Sequence, residues 1–293
     1  MPISADCEKR VEALSVVEII SKPAGTVNDD RAGYAGNCLW VLDGATDCTP
    51  EKYLPGNSDA AWLAGKFDRA LSSRAANFSG SLTGLIEEVT TDVRAGFERE
   101  RLRDLQDRGH QPSAAALIAR LKDGILETAG LGDCQLFLAQ PGERPRLAGV
   151  DRSRLGDRHA IARIQNAMQE HQIGFLEARA KLQPSGNLGR RAMNQPGGYS
   201  VLSIDMAPLE LIHRESIPLE PGARLLFASD GFTRLYEVFG FYKEESLLEA
   251  AFEKGLAQLV TELRELESKD EGCERFPRIK PRDDATAILV IAR

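Results

Sequence analysis

Four short acidic clusters hold most of the chemistry this chain could carry: Asn28-Asp29-Asp30, Asp43-Gly44, Ser229-Asp230-Gly231 and Asp283-Asp284. The last three each touch an apolar run, Cys38 to Leu42, Arg224 to Ala228 and Ala287 to Ile291. Carboxylates at the ends of buried strands, far apart in sequence, are how a fold assembles a hard-cation site, and oxygen-only ligation suits Mg²⁺ or Mn²⁺. Asp43 and Asp230 both follow an apolar run and both precede glycine, where backbone and cation can approach closely. Carboxylates crowded this way repel one another, so a cation must offset the repulsion. Two cations sharing a bridging carboxylate would do so and would lower the pKa of a bridging water. Taken singly, each cluster is also an ordinary turn or a solvated loop. Their joint occurrence carries the reading.

The rest of the composition narrows the function classes. A chain of 293 residues, 42% apolar and 28% charged, fits a soluble globular protein with a sizeable core. A formal charge of -7 gives no support to a nucleic-acid partner. No apolar stretch approaches the ~20 residues of a membrane span. The segment Met1 to Arg10 is polar, with no signal-peptide core. The five cysteines, Cys7, Cys38, Cys48, Cys134 and Cys273, lack CxxC spacing, which favours reduced thiols and a cytoplasmic location. His110, His159, His171 and His213 show no ligand spacing, so a Cys/His zinc site is disfavoured. Ser200 and Cys134 have neither an elbow motif nor a nearby base, which argues against covalent catalysis. Arg190-Arg191 reads as a solvated pair or a phosphate contact, and Trp40 and Trp62 read as packing residues.

The elements that must position the aspartates follow from periodicity. Val11 to Ser21, Leu39 to Leu42, Cys134 to Ala139, Tyr199 to Ile204, Leu209 to Arg214, Arg224 to Ala228 and Ala285 to Ala292 read as strands. Pro112 to Ala129 reads as a hairpin about Lys122-Asp123-Gly124. Ser58 can cap a helix running toward Leu71, and helical spacing of Leu85, Ile86, Val89, Val93, Phe97 and Leu102 predicts a second from Leu82 to about Gln106. Ala160 to Leu182 reads as one or two helices, Pro184 to Gly198 as a loop, and Glu245 to Leu266 as one long amphipathic helix. Strands and helices alternate poorly, which disfavours a parallel sheet. Two antiparallel sheets flanked by helices fit better. Pairing of the first and last strands would make residues 1–293 a single domain.

The same residues carry a family resemblance. Asn28-Asp29-Asp30, Val41-Leu42-Asp43-Gly44, Leu131-Gly132-Asp133, Phe227-Ala228-Ser229-Asp230-Gly231 and Asp283-Asp284-Ala285-Thr286 stand in the order of the metal-dependent Ser/Thr phosphatases of the PP2C-like, or PPM-type, family. The chain resembles a bacterial-type member over almost its whole length. The resemblance implies an α+β fold, a four-layer α-β-β-α sandwich of two mainly antiparallel sheets flanked by helices. It implies two Mn²⁺ or Mg²⁺ ions bridged by Asp43. Gly44 would lend its carbonyl to one, with Asp29 ligating directly or through water. Asp230 and Asp283 would complete the other, and Asp30 would stand behind the ligands. Asp133 matches a position that in some bacterial members helps hold a weaker third ion, with Asp151 or Asp157 as its partner. A flap would span about 151–198.

The activity implied is hydrolysis of phosphoserine and phosphothreonine in proteins by a metal-bridging water, with Asp43, Asp230 and Asp283 as the catalytic set. Two other readings share the scaffold: a phosphatase of small phosphorylated metabolites, and a non-catalytic sensor or binding module. The departures from the pattern motivate the last. Ala45 stands where the family commonly has histidine, Arg234 where it has a further aspartate, and Asp29 where it has glutamate. Lys22 is the nearest cation upstream of Asp29. Without a histidine, protonation of the leaving group falls to water or Asp47, water being preferred.

Overall fold

A computed structural model describes residues 10–47, 49, 51–149 and 158–293, with only the backbone described at 158–160 and 183–188. Asp151 and Asp157 lie outside the described residues. The strands are β1 (Leu14–Lys22), β2 (Arg31–Ala35), β3 (Cys38–Gly44), β4 (Ala114–Lys122), β5 (Ile125–Leu131), β6 (Gln135–Ala139), β7 (Arg146–Ala148), β8 (His213–Pro218), β9 (Arg224–Ala228) and β10 (Ala285–Ala292). The helices are α1 (Asp59–Arg74), α2 (Leu82–Glu100), α3 (Arg158–His171), α4 (Phe175–Arg190), α5 (Asp230–Glu237), α6 (Glu244–Lys254) and α7 (Leu256–Ser268). The strands form two sheets, ordered β1-β10-β9-β6-β7 and β2-β3-β4-β5-β8, antiparallel throughout.

The apolar runs exist because the inner strands are covered on both faces. In β3, Leu39 and Val41 point between the sheets while Trp40 and Leu42 point at α1 and α2. In β9, Leu225 and Phe227 face the opposite sheet while Leu226 and Ala228 face α5, α6 and α7. The period of two thus feeds two cores, and a polar residue is tolerated on neither side. Each fully buried side chain of this kind contributes roughly 1.5–3 kcal/mol before entropy is counted. The result is the expected helix, sheet, sheet, helix sandwich. The first and last strands do pair, with Leu14 opposite Ala292 and Lys22 opposite Ala285.

Local chemistry accounts for several boundaries. The Ser58 hydroxyl accepts from Ala61 N at 3.1 Å and starts α1. Asp123 and Gly124 both take positive φ, 54° and 79°, and close the β4–β5 hairpin. Other expectations need correction. The helix expected from Glu245 to Leu266 is two, because Gly255 breaks it at φ 81°. Glu18 of β1 then caps α7, accepting from Leu256 N at 2.8 Å and Ala257 N at 3.2 Å. That cap comes from 238 residues away and leaves no local signal. Tyr199–Ile204 is not a strand; two isolated bridges, Leu202 to Ala114 and Tyr199 to Met193, are its β structure. Within Leu209–Arg214, a 3-10 turn at Leu209–Leu211 precedes β8. The segment 184–190 is helical, not loop, since α4 runs to Arg190. Packing decides there: α3 and α4 enclose Ile164, Ala167, Phe175 and Ala178 with Cys273. The second helix ends at Glu100, not Gln106. β2, β7 and α5 have no counterpart in the sequence reading.

Candidate metal centre

The aspartates converge where the ends of the two sheets meet. Asp43 is the penultimate residue of β3, in one sheet; Asp230 opens α5 directly after β9, in the other. The Asp230 N–H donates to Asp43 Oδ2 at 3.3 Å, joining the sheets at this point. Asp283 and Asp284 immediately precede β10. Asp284 ties down the acidic loop, accepting from Ala24 N and from Asp29 N, both at 2.6 Å. Asn28 keeps the turn, with its Oδ1 accepting from Asp30 N at 3.1 Å and its amide donating to Ser21 Oγ at 2.8 Å. Asp133 follows Gly132, whose φ is 87° and whose Cα packs against Ala115, the residue opposite Asp43.

Both Asp-Gly pairs have a steric cause. A Cβ on Gly44 would lie 2.5 Å from the Asp29 carbonyl oxygen, and one on Gly231 would lie 1.9 Å from the Asp284 carbonyl oxygen. Each glycine is needed because another acidic segment crosses its backbone.

The electrostatics are unbalanced from one side of the cluster to the other. Desolvation pushes the Asp43 carboxyl well above its ordinary range, and the charges of Asp230, Asp30, Asp283 and Asp133 add to it. Asp30 is 1% exposed and is raised in the same way, by burial first and then by Asp283, Asp284 and Asp230. Asp29 is raised by burial, against the easing effect of the Ser58 hydroxyl, with Asp284 and Asp47 adding. Asp29 Oδ1 and Asp30 Oδ2 are buried with no hydrogen-bond partner. Asp283 behaves oppositely. Burial would raise it, but Lys280 and Arg234 hold it below the ordinary carboxylate range. Its Oδ1 accepts from Lys280 Nζ at 2.6 Å and its Oδ2 from Arg234 Nη2 at 2.7 Å.

The structure therefore gathers Asp29, Asp30, Asp43, Gly44, Asp133, Asp230 and Asp283 at one end of the sandwich. Among the described residues, however, no three His, Cys, Asp or Glu side chains are already arranged as a cation cage. The donor set fits a hard divalent cation on the Asp29, Asp43 and Gly44 side, where buried carboxylate oxygens lack partners. It fits less well at Asp283, whose oxygens are engaged. The sequence reading missed Lys280 and Asp284. Lys280, three residues before Asp283, was the visible signal for the first. Asp284 was quoted within its cluster, but its part in fixing the loop depends on a contact across 255 residues. The Asp47 carboxylate accepts from Asp59 N and Ala60 N, both at 3.2 Å, and pairs with Lys52. Arg191 pairs with Asp107, its neighbour across the loop. A cleft of about 460 Å³ adjoins the cluster through Asn28 and Ser58 and carries Arg31 and Arg69 in its wall. A larger hollow, about 540 Å³, shares none of these residues.

The raised carboxyls make a pH prediction for the metal-free protein. Groups whose folded pKa lies above the unfolded value stabilise most below the unfolded value, and that stability is lost as pH rises through the folded value. The chelated protein should therefore melt at higher temperature at pH 5 than at pH 7. Asp43→Asn should show a flatter profile. Identical profiles for the two in calorimetry would contradict the crowding described.

No protein-family profile matches the chain. No curated protein matches it either. Solved structures do. The Mycobacterium tuberculosis serine/threonine phosphatase PstP superposes with a TM-score of 0.57 at 16% identity, covering 96% of this chain and 100% of that one. PppA, a regulatory component of the type VI secretion system in Pseudomonas aeruginosa, gives 0.55 at 15%, covering 97% and 100%. The PstP catalytic domain in complex with two manganese ions gives 0.55 at 15%, covering 95% and 97%. The chain thus has the PP2C-like fold of the bacterial PPM phosphatases over nearly its full length.

Proposed function

We propose that this protein is a phosphomonoester hydrolase that uses Mn²⁺ or Mg²⁺ and acts on phosphoserine and phosphothreonine in proteins. The observation that carries this is the cluster itself. Asp43 and Asp230 meet across the two sheets, beside buried Asp29 and Asp30 oxygens that have no partner. The fold supports it, because solved structures sharing it are Ser/Thr phosphatases and one of them is described with two manganese ions. A divalent cation held here would activate water near neutral pH and offset charge on phosphoryl oxygens. We assign cation binding to Asp43, the Gly44 carbonyl and Asp29, with Asp230 beside them, and a weaker additional position to Asp133; Asp283 is already engaged by Lys280 and Arg234. Asp30 and Asp284 orient that set. The Arg31 and Arg69 guanidiniums in the adjoining cleft suit an anionic substrate. We assign residues about 151–198, which include α3 and α4, to a flap over the site.

The test is phosphate release from a phosphopeptide panel and a phosphometabolite panel. Turnover should require added Mn²⁺ or Mg²⁺, vanish on chelation, return with metal, and favour peptides. Activity surviving thorough chelation would remove the metal mechanism. Clear preference for metabolites would transfer the site to the small-molecule reading.

A further inference from the structure

The two ends of the carboxylate cluster are not equivalent. At the Asp283 end, protein cations already sit on both carboxylate oxygens. Lys280 Nζ lies 2.6 Å from Oδ1, where the Asp284 N–H also donates at 3.1 Å. Arg234 Nη2 lies 2.7 Å from Oδ2. Arg234 is 5% exposed and is anchored from behind, by Glu267 at 3.4 Å and the Lys280 carbonyl at 3.3 Å. Glu267 is 0% exposed and takes a second guanidinium, Arg264, at 2.6 Å. Arginine keeps its charge in proteins, so this cation cannot be neutralised to make room.

The loop that presents Lys280 is equally built. Arg278 is 1% exposed and pins it, donating to Asp270 Oδ2 at 2.8 Å, to the Phe276 carbonyl at 2.8 Å and to the Pro281 carbonyl at 3.0 Å. Lys280 is thus held against Asp283 by a fixed backbone, with Asp230 and Asp43 within the reach of its charge. At the opposite end, among the described residues, no lysine or arginine hydrogen-bonds to the Asp29 carboxylate, and Asp29 Oδ1 and Asp30 Oδ2 are buried without partners. A divalent cation brought to Asp283 would meet two positive groups within hydrogen-bond distance of the same carboxylate. One brought to Asp29 and Asp43 would meet none at that distance, only the farther charge of Lys280.

We infer that the Lys280 ammonium, backed by Arg234, takes the place of a second divalent cation at Asp283, so that the protein holds one tight cation, at Asp43, the Gly44 carbonyl and Asp29. This rests on the proposed function only in requiring that a divalent cation binds. Asp283 then serves to fix Lys280 beside Asp230 and Asp43. The consequence for chemistry is that part of the charge facing the substrate phosphate comes from a fixed ammonium.

The experiment is Mn²⁺ titration of the metal-free protein by calorimetry, with electron paramagnetic resonance on the loaded samples. Wild type should take up one tight ion per chain and give the spectrum of an isolated Mn²⁺. Lys280→Gln removes the charge from Asp283 Oδ1, leaving there the Asp284 N–H. It should take up a second ion at least about tenfold more tightly than wild type does, with a spin-coupled spectrum. Lys280→Arg keeps the charge and should stay at one ion, which keeps the idea testable if the glutamine variant folds poorly. Two tight, coupled ions in wild type would overturn the inference and leave the proposed function standing. So would one ion in a well-folded Lys280→Gln, or two in Lys280→Arg. Absence of any Mn²⁺ binding to wild type would remove the inference together with the metal-dependent function.

Discussion

Asp43→Asn should abolish metal-dependent turnover while leaving a folded protein. Asp43 is the residue on which both parts of the cluster converge: the Asp230 N–H reaches its Oδ2, and the charges of Asp230, Asp30, Asp283 and Asp133 all raise its carboxyl. Asparagine keeps the shape and one acceptor but loses the charge that binds a cation. Loss of a group that merely orients a ligand costs about 10–100-fold in affinity or activity, so loss of a ligand should exceed roughly 100-fold. In the metal-free state the same change relieves crowding, so the melting temperature should rise or hold. The paired measurement is phosphate release with Mn²⁺ and thermal unfolding with chelator. Near-normal turnover, or collapse of the fold, would rule out the role given to Asp43.

Arg234→Met should destabilise the protein more than any neutral surface change. It leaves Glu267, which is 0% exposed, and Asp283, which is 9% exposed, without the guanidinium they share. Breaking a buried pair by removing one partner costs about 3–5 kcal/mol. For a chain of this size that is a fall in melting temperature on the order of 10 °C. The pH dependence has a definite sign. Asp283 is held below its ordinary pKa, so its stabilisation is present at neutral pH and is lost as pH falls below the unfolded value of ~3.9 toward the folded one. The gap between wild type and variant should therefore narrow in acid. Equal denaturation midpoints at pH 7 would show that Arg264 and Lys280 suffice without Arg234.

What the sequence disclosed followed the range over which its signals act. β3, β9 and β10 were legible because each is an apolar run closed by an acidic turn. The β4–β5 hairpin was legible because Asp123-Gly124 is a turn with its own chemistry. The clusters at Asp43, Asp230 and Asp283 could be placed together because all three adjoin such strands. The break at Gly255 was not legible, since its cap comes from Glu18 on a distant strand. α4 runs through Pro184, Gly186 and Gly189 against its own composition, while its first turns pack on α3 and Cys273. Lys280 could be seen as a charge near Asp283, but not as the partner of one of its oxygens. That requires the loop fixed by Arg278, whose bonds reach back to Asp270. Arg234 looked like a simple departure from a motif until its position between Glu267 and Asp283 gave it a structural task.

The place of β10 in its sheet also sets an order for folding. β10 is inserted between β1 and β9, so these two do not pair with each other; β9 also has β6, but β1 has its ladder in this sheet from β10 alone. β1 has its ladder partner far along the chain, at Ala285–Ala292. Until the two pair, both edges of β1 are open in this sheet and the Ser229–Thr286 contacts that seat Asp230 cannot form. Asp283 and Asp284 arrive in the same final stretch, so the acidic centre closes only when the sheet does. Such late, long-range pairing makes folding slow and leaves an unpaired strand exposed meanwhile. The fold thus couples closure of this sheet to assembly of the acidic cluster: until β10 is seated between β1 and β9, neither Asp230 nor Asp283 has its fixed place.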